Sequence, residues 1–485
     1  MIKFLNYGAI ALVFLLAVLL FNALRLTSKQ MTDITPASVI PFSDSIVQHF
    51  ADAIKIKTVS NGDSSKMDSV EFEKFIAFVE RTYPLVHSKL KHERVNTYGL
   101  LFEWKGRDLS LLPTMMIGHY DVVPMIKGTE KLWQHEPFSG AIDSGFIYGR
   151  GTIDDKLTVI GILESVEYLL KQNFQPERTM YLGFGFDEEV SGNNGAKKIA
   201  ALLESRKIQL EYVLDEGGVI KSEGLSGLDK PIALIGVAEK GYTTLQLSVT
   251  SASGHSSMPP PQTSIGILAE AIDKLEKKPF PAHFEGGADL LQDYLAPEMP
   301  FGLKIAMGNR WLLKSVIMSK LASTNAGNAM IRTTTAPTVI SAGVKDNVLP
   351  INATAKVNFR ILPGETSESV LAYVTKVVDN KQVKIEHVNG SVNDPTSISD
   401  TASFGFRNIH RTVKRCFPNA IVSPYLCLGG TDVRNYKNVS KNQFRFQPLR
   451  VSEEDLGRIH GTNECISTES FKDFVRFYIE LMKGS

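Results

Sequence analysis

Cysteine is nearly missing from this chain. There are three in 485 residues, Cys416, Cys427 and Cys465, widely spaced and with no CxxC among them. A disulfide scaffold and a thiolate metal site are therefore not expected. An excess of one charge is missing too: 53 Lys and Arg stand against 52 Asp and Glu, so no global field draws in nucleic acid or an anionic surface. No nucleic-acid partner is expected. Tandem repeats and low-complexity tracts are also absent, which leaves a globular composition, and a length beyond what one hydrophobic core usually supports points to two domains.

Charge is locally absent as well. From Phe4 to Leu24, "FLNYGAIALVFLLAVLLFNAL" carries none, and Lys3 and Arg25 bracket it. A helix of that length rises roughly 30 Å, about the thickness of a bilayer's hydrocarbon core. Signal peptides have apolar cores of roughly 7–15 residues and a small-residue cleavage site, and "FNALRLTSK" offers no convincing one. Residues 1–30 read as a membrane anchor, with a cleaved signal as the alternative. The expected location is membrane-anchored with the catalytic domain outside the cytosol, or secreted or periplasmic if the segment is cleaved.

Past Pro41, short apolar runs alternate with segments of helical period: "LLPTMMIG" as a strand, Leu157 to Gln172 as a helix, "TMYLGFGF" as a strand, "NNGAKKIAALLESRK" as a helix and "LEYVLDEGG" as a strand again. This alternation predicts an α/β fold with a mostly parallel sheet flanked by helices. Ligands of such sheets collect beyond the carboxyl ends of the strands. Near Glu239 the texture changes to two β-α-β units, which predicts a smaller α+β lid domain over 239–393, inserted between the two parts of the main domain, 41–238 and 394–485. Within the insert, 281–332 is a long apolar helical excursion. It would line a cavity, contact a partner, rest on a membrane or bury itself as an extra layer.

Acidic residues follow the predicted strands: Asp121 beside His119 in "GHYDVVP", Asp154 in "GRGTIDD", Glu188 and Glu189 in "FGFDEE", Asp215 in "VLDEGG". Carboxylates gathered on one sheet edge without a cation would repel and take up protons. A divalent metal resolves this, and with carboxylate and imidazole donors zinc suits. His460 in "RIHGTNE" supplies the second histidine. Asp154, Glu189 and Asp215 carry three negative charges, which favours two ions over one. On an extended chain His119 and Asp121 share a face, so Asp121 is free to hold the His119 ring from behind. These residues alone do not separate the roles of Glu188 and Glu189.

Six ordered stretches, "GHYDVVP", "YGRGTIDDK", "FGFDEEVSG", "VLDEGG", "SGHSSMPP" and "IHGTNE", resemble the co-catalytic zinc metallopeptidases that include aminoacylase, carboxypeptidase S, glutamate carboxypeptidase and succinyl-diaminopimelate desuccinylase. The likeness covers roughly Pro41 to Lys483, and "PIALIGVAEKG", "TSIGILA" and "AMIRTTTAPT" look like its carboxypeptidase S and N-fatty-acyl-amino-acid synthase/hydrolase branch. The resemblance implies two Zn2+ ions per chain. One would be held by His119 and Glu189, the other by Asp215 and His460, with Asp154 between them. It implies Glu188 as general base, Asp121 as the residue orienting His119, and His255 as the donor to the oxyanion; from the residues alone, His255 is a loop histidine bonded to neighbouring serines.

By the same resemblance the substrate carries a free carboxylate beside an amide. Arg360, Asn347 and Gly430 of "GGTD" would bind it, unless Arg360 is simply a paired strand arginine. The expected activity is a zinc-dependent amidohydrolase cleaving, or also forming, the amide of N-acyl amino acids with fatty acyl chains. The alternatives are a carboxypeptidase acting on small peptides and a non-catalytic ectodomain of the same fold; a homodimer is possible. Because the proposed ligand set includes no protein cation, a chelator should abolish amide hydrolysis and added zinc or cobalt should restore it, measured as turnover of an N-acyl amino acid. Full turnover by metal-free protein would remove the metal from the reaction.

Overall fold

Strands of Val, Leu, Met and Phe with both faces buried need helices on each side, and the chain supplies them. The computed structural model describes residues 2–62, 67–223 and 227–485. Its main sheet runs Lys91–Val95, Gly99–Trp104, Met180–Gly185, Thr114–His119, Tyr212–Asp215, Gln443–Arg445, Ile232–Glu239, Ile220–Lys221 and Arg450–Val451, with Ile421–Cys427 also paired to Ile232–Glu239. The centre, from Met180–Gly185 through Thr114–His119 and Tyr212–Asp215 to Gln443–Arg445, is parallel. An antiparallel hairpin not foreseen from the sequence, Lys91–Val95 with Gly99–Trp104, closes one edge.

The expected helix at Leu157 to Gln172 spans Lys156–Lys171. It is apolar on nearly every side because the sheet and the C-terminal helix Thr468–Lys483 cover it. At its start Lys156 is buried, and its Nζ donates to the carbonyls of Ala53 (3.0 Å) and Ile56. Burial depresses its pKa to about 7. Nearby, Tyr120 stacks on Phe75 with ring centroids 4.4 Å apart, under the loop that follows His119. All three cysteines are buried and unpaired.

A second, four-stranded sheet is antiparallel, in the order Thr334–Ala342, Asn352–Ile361, Gly241–Thr250, Val383–His387. The helices Ser264–Lys277 and Ser367–Val378 pack on it around a core of its own that includes Leu247, Ile267, Val357, Phe359 and Val374. Its edge strand carries Pro337 at a register shift, where a missing N–H costs least. The apolar excursion forms four helices, Ala288–Leu295, Phe301–Gly308, Arg310–Ala322 and Asn325–Ile331. Their inner faces share one cluster with Leu228, Ile232 and Ile421 of the main sheet's side. The apolar N-terminal run is a helix, Ile2–Leu24.

Candidate active site

The strand Thr114–His119 delivers a buried histidine to the carboxyl edge of the sheet, and the residue two further on holds it. Asp121 is fully buried, with Oδ1 3.3 Å from His119 Nδ1. The same carboxylate accepts from the backbone N–H groups of Glu188 and Glu189, both at 3.2 Å. One side chain thus sets the imidazole and the short turn carrying both glutamates.

Two groups of ligand atoms converge there, His119, Asp154 and Glu216 in one, Asp154, Glu189 and His460 in the other, with Asp154 in both. His119 Nε2 lies 3.1 Å from Asp154 Oδ1 and 3.5 Å from Glu216 Oε1. His460 Nε2 lies 2.9 Å from Asp154 Oδ2 and 3.3 Å from Glu189 Oε2. His119 Nε2, Asp154 Oδ1 and Glu189 Oε1 are buried without a hydrogen-bond partner. Buried polar atoms are seldom left so, and imidazole with carboxylate oxygen is a donor set for zinc. Two divalent cations fit these residues.

The electrostatics agree. Burial pushes the Glu216 carboxyl up to about 8, with the neighbouring Asp154 charge adding to it. Burial raises Glu188 far above its ordinary range and lifts Glu189 as well. Asp154 is the exception: burial opposes its ionisation, but contact with His119 and His460 holds it below its ordinary value. The bonds from Asp154 and Glu189 in turn raise His460 to about 10. So many buried acids are compatible in ionised form only around positive charge.

Two assignments made from the sequence differ from this geometry. Asp215 is in neither group: its Oδ2 accepts from the backbone N–H of Val433 at 2.8 Å, bracing the turn Asp432–Tyr436. The adjacent Glu216 takes the place expected of it, because successive residues of an extended chain point to opposite faces. The pairing changes accordingly, His119 grouping with Glu216 and His460 with Glu189.

A layer behind the cluster escaped the sequence reading. Glu464 is fully buried. Its Oε1 accepts from the N–H groups of Gly151 (3.1 Å), Ile153 (2.7 Å) and Asp154 (3.2 Å), and its Oε2 from Arg150 at 2.6 Å. The signal was present as the last letter of "IHGTNE" and the arginine of "GRGTIDD". Asp155 accepts from the His119 N–H at 3.2 Å and from Gln447 Nε2 at 2.7 Å. A Cβ on Gly118 would stand 2.8 Å from that carboxylate.

The expected substrate-binding residues are dispersed. Gly430 and Thr431 line a cavity of about 440 Å³ that opens on Asp154 and Glu216. A side chain at Gly430 would meet the Arg434 guanidinium. Arg360 lies in the second sheet, half-buried, with its guanidinium 5.0 Å from the Tyr242 ring centre; burial, reinforced by the like charge of Arg434, lowers its pKa. His255 and Asn347 are exposed. The His255 Nδ1 contacts Ser257 Oγ at 2.8 Å, the loop arrangement left open by the sequence, and the Asn347 carbonyl accepts from Ser256 N–H at 3.2 Å. Among the described residues neither touches the metal-ligating cluster.

Residues 115–484 match the sequence profile described as peptidase family M20/M25/M40. A Dictyostelium discoideum protein named probable carboxypeptidase S-like 2 is 39% identical over 98% of this chain and 92% of its own length. A Xenopus tropicalis N-fatty-acyl-amino acid synthase/hydrolase is 40% identical over 91% of this chain and 86% of its own, and the Homo sapiens one 41% over 89% and 86%. Among solved structures, an M20 family metallo-carboxypeptidase from Sulfolobus solfataricus superposes with a TM-score of 0.67 at 18% identity, covering 91% of this chain and 99% of its own.

Glu464→Gln leaves Arg150 buried without a counter-charge and weakens the brace on the Asp154 loop. Breaking such a pair costs about 3–5 kcal/mol, which urea unfolding should register together with reduced zinc content. A loss under about 1 kcal/mol with full metal content would show the brace to be dispensable.

Proposed function

The chain belongs to peptidase family M20/M25/M40 and is a two-zinc amide hydrolase, and on that premise we propose that its substrates are N-acyl amino acids with long acyl chains. One observation carries this reading. The cavity of about 440 Å³ beside Asp154 and Glu216 is walled by Leu234, Leu291, Met330, Tyr425, Leu428 and Ile459. A site built for a polar dipeptide has no use for that wall. The apolar excursion contributes Leu291, Ala326 and Met330 to it. Relatives of both names, fatty-acyl-amino acid synthase/hydrolase and carboxypeptidase S-like, align along most of the chain, so small-peptide cleavage is the competing outcome.

His119, Asp154 and Glu216 would hold one ion, and Asp154, Glu189 and His460 the other. Bound there, the ions supply Lewis acidity toward the amide carbonyl and acidify water. Glu188 does the proton work. Its carboxylate, 4.0 Å from His119 Nε2 and raised by burial, takes a proton from the attacking water and returns it to the leaving nitrogen as the C–N bond breaks. Asp121 keeps this carboxylate and the His119 ring in register.

Arg360 pairs with the amino-acid carboxylate and His255 meets the carbonyl oxygen. Both lie in the inserted sheet's domain, so this requires closure of that domain or approach of a second copy. The exposed edge strand with Val339 and Ile340 is where such a copy would pair. The N-terminal helix is 6% buried over Asn6–Leu24 and anchors the enzyme in a bilayer.

Each methylene buried contributes about 0.8 kcal/mol, so four more carbons should raise kcat/KM on the order of a hundredfold until the cavity is full, measured with a series of acyl-chain lengths. Met330→Asp should erase that slope and spare the acetyl substrate. A flat dependence on length, with dipeptides turned over faster, would overturn the acyl reading.

The two adjacent glutamates should separate. Glu188→Gln keeps both zincs and loses at least about 10²-fold in kcat, whereas Glu189→Gln lowers zinc content. Equal metal loss in the two variants would mean that the roles are exchanged or shared.

A further inference from the structure

The helices Phe301–Gly308 and Arg310–Ala322 form a corner with two unlike sides. Inward, Met307, Met318 and Leu321 join the apolar cluster that also contains the cavity-lining Leu291 and Met330, and Ile317 is buried. Outward, Phe301, Trp311, Leu312 and Val316 are 49%, 64%, 47% and 65% exposed, contributing to an apolar face that no described residue covers. From Phe301 to Ser323 the chain has no acidic residue but has Lys304, Arg310, Lys314 and Lys320. Arg310 pairs with Asp293 and Lys314 lies 3.7 Å from Glu285; Lys304 and Lys320 are in no ion pair among the described residues. The overall charge balance conceals this local basic patch.

The corner is fastened to the N-terminal helix. Asn309 is fully buried between them. Its Oδ1 accepts from Asn22 Nδ2 at 2.8 Å and from Trp311 Nε1 at 3.3 Å, and its Nδ2 donates to the carbonyls of Leu19 (2.9 Å) and Ile305 (2.8 Å). Gly308 lets the two helices approach: a Cβ there would stand 3.0 Å from the Asn22 carbonyl oxygen. Asn22 is in the last turn of a helix long and apolar enough to cross a bilayer. The clamp therefore sits where that helix leaves the hydrocarbon, at the depth favoured by tryptophan and by basic amphipathic helices.

We propose that the corner 301–322 lies on the surface of the bilayer that holds the N-terminal helix, with Trp311, Leu312 and Val316 in the headgroup layer and its lysines on anionic phospholipid. This rests on the anchor reading of that helix. A lipid surface is chosen over a second copy because the apolar face adjoins the apolar N-terminal helix and because, while Arg310 and Lys314 are paired with Asp293 and Glu285, Lys304 and Lys320 have no acidic partner among the described residues. The layer that backs the acyl cavity is then also the layer that faces the membrane.

The test uses the full-length chain in phosphatidylcholine vesicles with and without phosphatidylglycerol, some of the lipid brominated near the top of the acyl chain. Flotation reports the anchor, and tryptophan quenching reports the corner. The expected result is bromine quenching that is lost in Trp311→Phe and is stronger with phosphatidylglycerol. The excess over phosphatidylcholine should disappear in the Lys304→Glu/Lys320→Glu double variant, while flotation of both variants and their hydrolysis of an acetyl substrate are unchanged.

Flotation with Trp311 unquenched by bromolipid and open to acrylamide would overturn the docking and leave the anchor. Absence of both flotation and quenching would overturn the anchor and the docking with it. Shielding of Trp311 from acrylamide that rises with protein concentration, without bromine quenching, would assign the face to a second copy and overturn the proposal.

Discussion

Asp154 is the side chain on which the site turns. It lies within 3.1 Å of one histidine and 2.9 Å of the other, and both groups of ligand atoms include it. Its loop is held by a buried carboxylate: Glu464 gathers three backbone N–H groups around Asp154 while Arg150 compensates its charge. A carboxylate accepting several N–H bonds in a dry environment is rigid, and rigidity here fixes the spacing between the two groups of candidate ligand atoms. Glu464 follows His460 by four residues, so one short stretch of chain supplies a candidate metal ligand and the brace for another.

The same economy appears around Asp121. It orients His119 and holds the backbone of both glutamates, tying the ends of two neighbouring parallel strands into one unit. Carboxylates with strongly raised proton affinity then crowd a volume that only positive charge makes stable. This explains why acids of similar sequence context have different tasks. Glu188 and Glu189 are adjacent, yet Glu189 points to His460 and Glu188 toward His119 and the open side of the cluster.

Apolar layers extend outward from this polar centre without a break. The cavity beside Asp154 and Glu216 is backed by helices of the excursion, and their far side carries the exposed tryptophan and lysines next to the N-terminal helix. A lipophilic acyl chain and a bilayer make the same physical demand, removal of methylenes from water. In the proposed reading, both demands fall on one group of helices.

Much of this was legible from the chain. The 3.6-residue and two-residue periods identified the main helices and strands, and the acids after the strands marked the metal centre because a buried sheet edge has no other use for them. His119 beside Asp121 could be read because an i, i+2 pair on an extended chain must share a face. The choice between Asp215 and Glu216 could not. Both follow the same strand, and only the neighbouring strand and the turn at Val433 decide which carboxylate faces the histidine. Glu464 and Arg150 were invisible as a pair because 314 residues separate them, and burial of both charges exists only once the sheet has closed. The excursion's composition announced an apolar role, but which of its faces lines the cavity, which meets its neighbours and which stays exposed was decided by how four short helices pack, since helical period alone does not say what lies on either side.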